Sequence, residues 1–239
     1  MAANANTVNL ANQNTNTDSY IASPPEEYII EMHEIGLCKT NPITGDLGSK
    51  TWNKTNNVVL FTKGNGRAIT VDVAPGKKMS SDLILKQPTL GSYNYNYVLI
   101  KKTIKIKAKA EFMDKTLYST MVGTTPKSTE NEPSYAQCND EINTINNNFY
   151  YQKDNIECLL LKADKATTST DKTETQYILT VYDCTSSPIT VRQNSGIDIG
   201  FSTTSGVVIS PGEFGNPGAW STSKSFFQAL PPAYVPTSK

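Results

Sequence analysis

The sequence contains a single histidine, His33, and this scarcity limits the catalytic mechanisms that the chain can support. A Ser–His–Asp or Cys–His arrangement would have to use this residue. His33 lies beside Glu34 in a segment of alternating polarity, where a half-buried structural role is the ordinary one. No serine occupies a nucleophile elbow, and no pair of carboxylates is marked out for glycoside hydrolysis. We therefore predict that the chain is not an enzyme.

Clustered metal ligands and phosphate-binding loops are also lacking. The four cysteines are far apart in the sequence and form no CxxC pair, which argues against a zinc site and a compact disulfide framework. Gly64-Asn65-Gly66 lies between two strand-like runs, whereas a phosphate-binding loop leads from a strand into a helix. We predict neither a metal nor a cofactor.

Charge and long apolar runs are scarce as well. Only 18% of the residues are charged, and the 22 basic residues balance the 22 acidic ones. Such a chain has no overall field that would draw it toward nucleic acid or an anionic membrane. No apolar run approaches the ~20 residues of a membrane-spanning helix. Residues 1–25 contain no Lys or Arg, and the first 20 residues have neither the basic nor the apolar region of a secretory signal peptide.

Alternating polarity dominates the middle of the chain. In Glu27–Leu37 the side chains of Tyr28, Ile30 and Met32 fall on one side of an extended backbone, which predicts a strand. Similar segments recur between short turn signals, and this spacing is typical of a β-sandwich or barrel. Further strands are predicted at 82–86, 149–152, 156–162, 176–183, 189–193, 197–201 and 207–209. A helix is suggested only at Asp140–Ile145.

Two β-prone runs, 57–62 and 67–73, flank the short connection that contains Gly64-Asn65-Gly66. Because glycine and asparagine accept positive φ angles at low cost, the pattern predicts a β-hairpin.

The longest predicted strand, Val98–Met113, carries a patterned row of charge. Its odd positions contain four lysines, and its even positions are apolar apart from Lys102, which places the four lysines on one face of a strand. The lysine row consists of Lys101, Lys105, Lys107 and Lys109. It is either a solvated face that discourages wrong edge pairing or a stripe that contacts nucleic-acid phosphates.

Aromatic residues form a second pattern. Tyr93, Tyr95 and Tyr97 alternate with asparagines, so their rings are candidates for one face that binds a protein surface or stacks on sugar. Trp220 is a fourth candidate of the same kind. An ordinary tyrosine ladder within a sheet is the structural alternative.

The ends of the chain differ from its middle. We predict an N-terminal arm over residues 1–24, a β-sandwich over 25–210, and a C-terminal arm over 211–239 that is rich in Pro and Gly. The C-terminal arm contains aromatic residues that would anchor it on its own domain or on a neighbouring subunit. The candidate anchors are Phe214, Phe226, Phe227 and Tyr234.

In broad layout the chain resembles single jelly-roll capsid proteins, which carry arms around a β-sandwich. The resemblance implies an all-β antiparallel sandwich of single jelly-roll topology and a self-assembling subunit of a virion shell, penton or minor capsid component. Its partners would be copies of itself or other structural subunits, and nucleic acid is a further candidate partner. The protein would be assembled into the virion in a host cell. The alternatives are a lectin-like carbohydrate-binding module and a β-rich pore-forming toxin, in which the Val98–Phe112 strand would insert into a membrane.

Overall fold

The described part of the chain is all-β and contains no helix, in agreement with the predicted fold class. A computed structural model describes residues 8–9, 21–23, 25–46, 49–61, 69–72, 74, 86, 88–102, 104–112, 115–118, 134–135, 150–153, 155–169, 174–193, 197–203, 207–210, 226–229 and 233–238. The strands in these residues are β1 (Val8–Asn9), β2 (Ile21–Ser23), β3 (Glu27–Cys38), β4 (Ile43–Thr44), β5 (Thr51–Trp52), β6 (Asn57–Phe61), β7 (Ile69–Asp72), β8 (Gly91–Tyr93), β9 (Tyr95–Lys101), β10 (Lys105–Lys107), β11 (Lys109–Phe112), β12 (Lys115–Tyr118), β13 (Ser134–Tyr135), β14 (Tyr150–Lys153), β15 (Ile156–Leu161), β16 (Tyr177–Asp183), β17 (Ile189–Val191), β18 (Ile197–Ser202), β19 (Val207–Ser210), β20 (Phe226–Ala229) and β21 (Ala233–Ser238).

The largest sheet is built around the twelve-residue strand β3. One edge of β3 pairs with β9 and β10, and the other edge pairs with β6 and β7. Beyond β9 the sheet continues through β16 and β15 to β14, while β13 pairs with β10. All these pairings are antiparallel. Smaller ladders join β8 to β17, β4 to β5, β18 to β21, and β2 to β19 to β20; β11 pairs with β12 and, in parallel, with β1.

The central strands of this sheet are buried on both faces. Cys158, Leu159, Leu160 and Leu161 of β15 are all at most 2% exposed. An uninterrupted apolar run of this kind is the expected sequence of a strand that has protein on both sides. Burying one Leu or Ile completely stabilises a fold by about 1.5–3 kcal/mol relative to leaving it exposed.

One face of the sheet packs into a cluster centred on Trp52. The small β4–β5 hairpin brings Ile43 and Trp52 over the leucines of β15 and β16, and the Trp52 ring meets the edge of Tyr97 at a centroid distance of 5.6 Å. Lys54 Nζ lies 4.0 Å from the centroid of the Trp52 ring and covers it from the solvent side. The Trp52 cluster consists of Cys38, Ile43, Trp52, Tyr97, Leu99, Leu159, Leu161, Leu179 and Val181.

The hairpin predicted for residues 57–73 is wrong. Its two runs form β6 and β7, but both pair antiparallel with β3, so they run in the same direction along one edge of it. Phe61 lies opposite Ile35 and Ile69 lies opposite Met32, so β7 continues the row that β6 begins. The reason is the length of β3, whose edge offers partners for both segments.

The strand predicted at Val98–Met113 is divided into β9, β10 and β11. Ile100 lies opposite Met32 and Lys105 opposite Ile29, so four intervening residues (101–104) match two on β3 (30 and 31). Because the two extra residues are an even number, they do not reverse the alternation of inward-facing and outward-facing side chains between β9 and β10. Ile100, Ile104 and Ala108 are buried as the alternation predicts.

The remaining predicted strands and the predicted helix can be compared with the structure one by one. The strands at 27–37, 156–162, 176–183, 189–193, 197–201 and 207–209 are confirmed within one or two residues. The Asp140–Ile145 helix lies outside the described residues, as does the 82–86 strand apart from Lys86. The finer prediction of a sandwich stays a prediction.

Gly36 is a point of close approach that the fold depends on. It lies opposite Tyr97, and a Cβ atom at this position would overlap the Tyr97 ring. We expect Gly36→Ala to lower the free energy of unfolding by about 1–3 kcal/mol, the usual cost of overpacking. Urea denaturation of Gly36→Ala, alone and combined with Tyr97→Leu, measures this. The smaller Leu side chain should reduce the additional cost of the alanine; an equal cost in both backgrounds would contradict the contact.

Candidate functional site

The structure distributes the lysine row over three strands. Lys101 ends β9, Lys105 and Lys107 belong to β10, and Lys109 begins β11. Lys105 lies in register between Ile29 of β3 and Tyr135 of β13, and Lys107 lies opposite Glu27. The row is therefore partly inside a sheet with neighbours on both sides, rather than on an exposed edge.

Lys101 has an acidic partner. Its Nζ lies 3.5 Å from Glu31 Oε2, and its side chain is 41% exposed. An ion pair with this exposure contributes ~0–1 kcal/mol to stability, because water and salt screen it. Its main effect here is to compensate the first charge of the lysine row.

The three tyrosines do not share one strand. Tyr93 ends β8, where it lies opposite Ile189, while Tyr95 and Tyr97 belong to β9. The side chains of Tyr93 and Tyr97 are fully buried, and the Tyr93 hydroxyl donates to the Thr89 carbonyl oxygen at 2.7 Å. These two rings are not available at the described surface for stacking on sugar; Tyr95 is partly buried against the Trp52 cluster.

Tyr97 has a structural role in the interior. Its hydroxyl donates to Glu34 Oε1 at 2.6 Å, across the gap that Gly36 leaves open. Burial, followed by the charge of Glu34, raises the pKa of Tyr97 well above its ordinary value. The phenol therefore stays protonated and keeps its donor directed at the carboxylate, which satisfies a polar pair inside the sheet.

The aromatic residues of the C-terminal segment lie partly in described strands. Phe226 and Phe227 belong to β20, which pairs with β19, and Tyr234 belongs to β21, opposite Phe201 of β18. Phe214 and Trp220 lie outside the described residues.

A polar cluster around His33, which we call the His33 cluster, was not predicted from the sequence. His33 occupies the point where the register of β3 against β9 shifts between Met32 and Glu34. Its Nε2 donates to Glu31 Oε1 at 2.9 Å, and its ring meets the ring of Tyr177 edge-on at 4.8 Å. The side chain of His33 is only 8% exposed. The cluster consists of Glu31, His33, Lys101, Lys165 and Tyr177.

Lys165 reaches this cluster from the loop after β15. The Asp164 carboxylate accepts hydrogen bonds from the backbone N–H groups of Ala166 and Thr167, both at 2.9 Å. The Thr167 hydroxyl also donates to Asp164 at 2.5 Å, and this bond, followed by the two backbone bonds, lowers the pKa of Asp164 to about 2. The same bonds stabilise the turn in which Lys165 adopts a left-handed conformation with φ of 58°. Lys165 Nζ lies 5.2 Å from the centroid of the Tyr177 ring.

The electrostatics of the cluster favour a neutral imidazole. Burial lowers the pKa of His33 below 6.5, and the charge of Lys165 acts in the same direction. The hydrogen bond to Glu31 opposes this shift without outweighing it. Because a carboxylate only accepts hydrogen bonds, the proton of the neutral ring lies on Nε2 and Nδ1 carries a lone pair.

Sequence reasoning could have placed together only two of the five members of the cluster. Glu31 and His33 are two apart in a predicted strand and therefore share a face. Tyr177 and Lys165 come from segments more than 130 residues further along the chain. Their approach depends on the β9–β16 register, in which Tyr177 lies opposite Lys101.

Among the described residues no group of three His, Cys, Asp or Glu side chains is placed to hold a metal ion. Cys38 and Cys158 are buried and Cys184 is half-buried, and none of these three is in a disulfide. Burial raises the pKa of Cys38 to about 12, so this thiol is unreactive at neutral pH. Within the same residues, no helix has the length and apolar character to cross a bilayer.

Comparisons with protein-family models, with curated proteins and with solved structures give no match for this chain.

Proposed function

We propose that this chain is a self-assembling structural subunit, most specifically a virus capsid protein of the shell, penton or minor-component type. Its body would be a β-sandwich of jelly-roll topology, and its terminal segments would join subunits. In this proposal the protein resides in the virion after assembly in a host cell and has no catalytic role.

The observation that carries the proposal is the pairing of the terminal segments. Strands from both ends of the chain add to ladders outside the nine-stranded sheet. β2 and β20 flank β19 on its two edges, so an N-terminal strand and a C-terminal strand share one partner. β21 pairs with all six residues of β18. The termini are therefore attached by main-chain hydrogen bonds.

Strand pairing of this kind suits exchange between subunits. A terminal strand that pairs with its own chain pairs equally well with an identical chain, because the partner surface is the same. Fifteen residues, 211–225, separate β19 from β20 in the sequence. An extended chain of that length reaches up to about 50 Å, which is enough to span adjacent small domains.

The lysine row offers a second, separate contact in the same proposal. Residues 1–25 contain no Lys or Arg and therefore offer no basic side chain for binding a genome. Lys105, Lys107 and Lys109 are the candidates that remain, since Lys101 is engaged with Glu31. Their contact with nucleic acid would be to phosphates and would carry no sequence preference.

Assembly and its dependence on the C-terminal segment provide the first test. Light scattering after size exclusion, with negative-stain electron microscopy, should show oligomers, shells or rings for the full chain. Deleting residues 212–239 should reduce assembly more than it lowers Tm, because β20 and β21 lie outside the central sheet. Deleting residues 1–6, which precede β1, is the control and should change neither.

Two outcomes would count against this role. A full-length chain that stays monomeric at every protein and salt concentration contradicts self-assembly. A deletion that lowers Tm as strongly as it reduces assembly would make the C-terminal segment part of the monomer core instead.

Charge removal tests the nucleic-acid contact. Replacing Lys105, Lys107 and Lys109 with Ser should leave folding intact and weaken binding to a DNA duplex, with a shallower dependence of affinity on salt. The matched control replaces Lys39, Lys54 and Lys86, which are exposed and lie outside the row, so the net charge changes equally. Fluorescence anisotropy at several salt concentrations measures both variants. Equal affinities for the two variants would reduce the lysine row to a solvated face.

A further inference from the structure

His33 is the only histidine of the chain and lies at an irregular point of its central strand. The register of β3 against β9 shifts at this residue, so the local ladder has an extra residue on one side. A bulge of this kind interrupts the ladder, and the side chains around it must hold the strands together. Here those side chains are the members of the His33 cluster.

The hydrogen bonding of His33 is complete on one side of the ring only. Nε2 donates to Glu31, whereas Nδ1 is buried and has no hydrogen-bond partner among the described residues. A bare lone pair at that position is tolerable in the neutral ring. Protonation would create a buried N–H donor without an acceptor, together with a positive charge.

The charged groups that face His33 come from several elements. Glu31 lies on β3 itself, Lys101 on β9, and Lys165 on the loop after β15, while the ring of Tyr177 meets His33 from β16. Glu31 already accepts from His33 and lies near Lys101, and Glu34, the next residue on β3, accepts from Tyr97. The two lysines disfavour a further positive charge.

We propose that His33 is a pH-sensitive latch at the bulge of β3: the neutral ring holds β3, β9 and β16 together there, and protonation loosens them. Protonation would place a positive charge near Lys165 and create a buried N–H at Nδ1 without an acceptor. The ends of the three strands near the bulge would then open without unfolding the rest of the sheet.

The pH window follows from the direction of the pKa shift. The imidazole of the unfolded chain takes up a proton as pH falls through 6.5, before the folded one does. The stability that the neutral ring provides is therefore complete above pH 6.5. It declines as pH falls from 6.5 toward the lower pKa of the folded state, below which the loss is complete. Within that window the opening equilibrium rises up to tenfold for each pH unit.

Proton NMR of the native chain measures the central quantity directly, because a single histidine gives a single imidazole signal. The folded pKa of His33 should lie below 6.5, and Glu31→Gln should lower it further by removing the charge that favours the imidazolium. A native pKa at or above 6.5 would overturn the latch. This measurement needs no variant to fold.

Amide hydrogen exchange tests the opening itself. Between pH 7.5 and pH 5, residues 31–35, 97–100 and 177–179 should lose protection in the native chain relative to His33→Gln measured at the same pH. The β8–β17 ladder, which contains no member of the His33 cluster, is the internal control and should show no difference. Equal protection in both chains, or an equal loss in the control ladder, would contradict a local latch at His33.

Discussion

The pairing of both edges of β3 is the constraint on which the rest of the structure depends. One edge carries β9 and β10, and the other carries β6 and β7. The strands on each edge of β3 are separated by a short break. On one edge four residues, 101–104, lie between Ile100 of β9 and Lys105 of β10, opposite two residues of β3. One-residue register shifts also lie along β3, between Met32 and Glu34 against β9 and between Ile35 and Gly36 against β6. Gly36 and Tyr97 lie at the centre of this arrangement, where the missing Cβ gives room to a buried ring and its hydrogen bond to Glu34.

Among the described residues, the ladders fall into one nine-stranded sheet and several smaller ones. The central strands of the large sheet are buried, and the Trp52 cluster packs on one face of it. The terminal strands pair with β18, β19 and β11 by backbone hydrogen bonds. In the assembly that we propose, the same ladders would form between neighbouring subunits. The proposal depends on this pairing.

Much of the fold could be predicted from local pattern. Tyr28, Ile30 and Met32 alternate with polar residues, and the apolar run through Leu159–Leu161 marks a strand buried on both sides. Pairing partners could not be predicted in the same way. Gly64-Asn65-Gly66 suggests a tight turn, but a turn signal does not reveal that the flanking runs both prefer the long edge of β3. For the candidate sites, the lysine row was visible as a period of two, while its compensation by Glu31 and the approach of Tyr177 to His33 depend on registers that one sequence does not contain.

The assembly account is tested most directly by a disulfide placed across the β18–β21 ladder. Gly200 and Val235 are register partners. Paired Cα atoms in an antiparallel ladder lie about 4.5–5.5 Å apart, which a disulfide spans. Gly200→Cys with Val235→Cys is oxidised in the assembled state and run on a denaturing gel without reductant. It should give covalent multimers if, as we propose, β21 of one subunit pairs with β18 of another. Each single cysteine variant serves as the control. Monomers that carry only an internal disulfide would contradict the exchange of terminal strands between subunits.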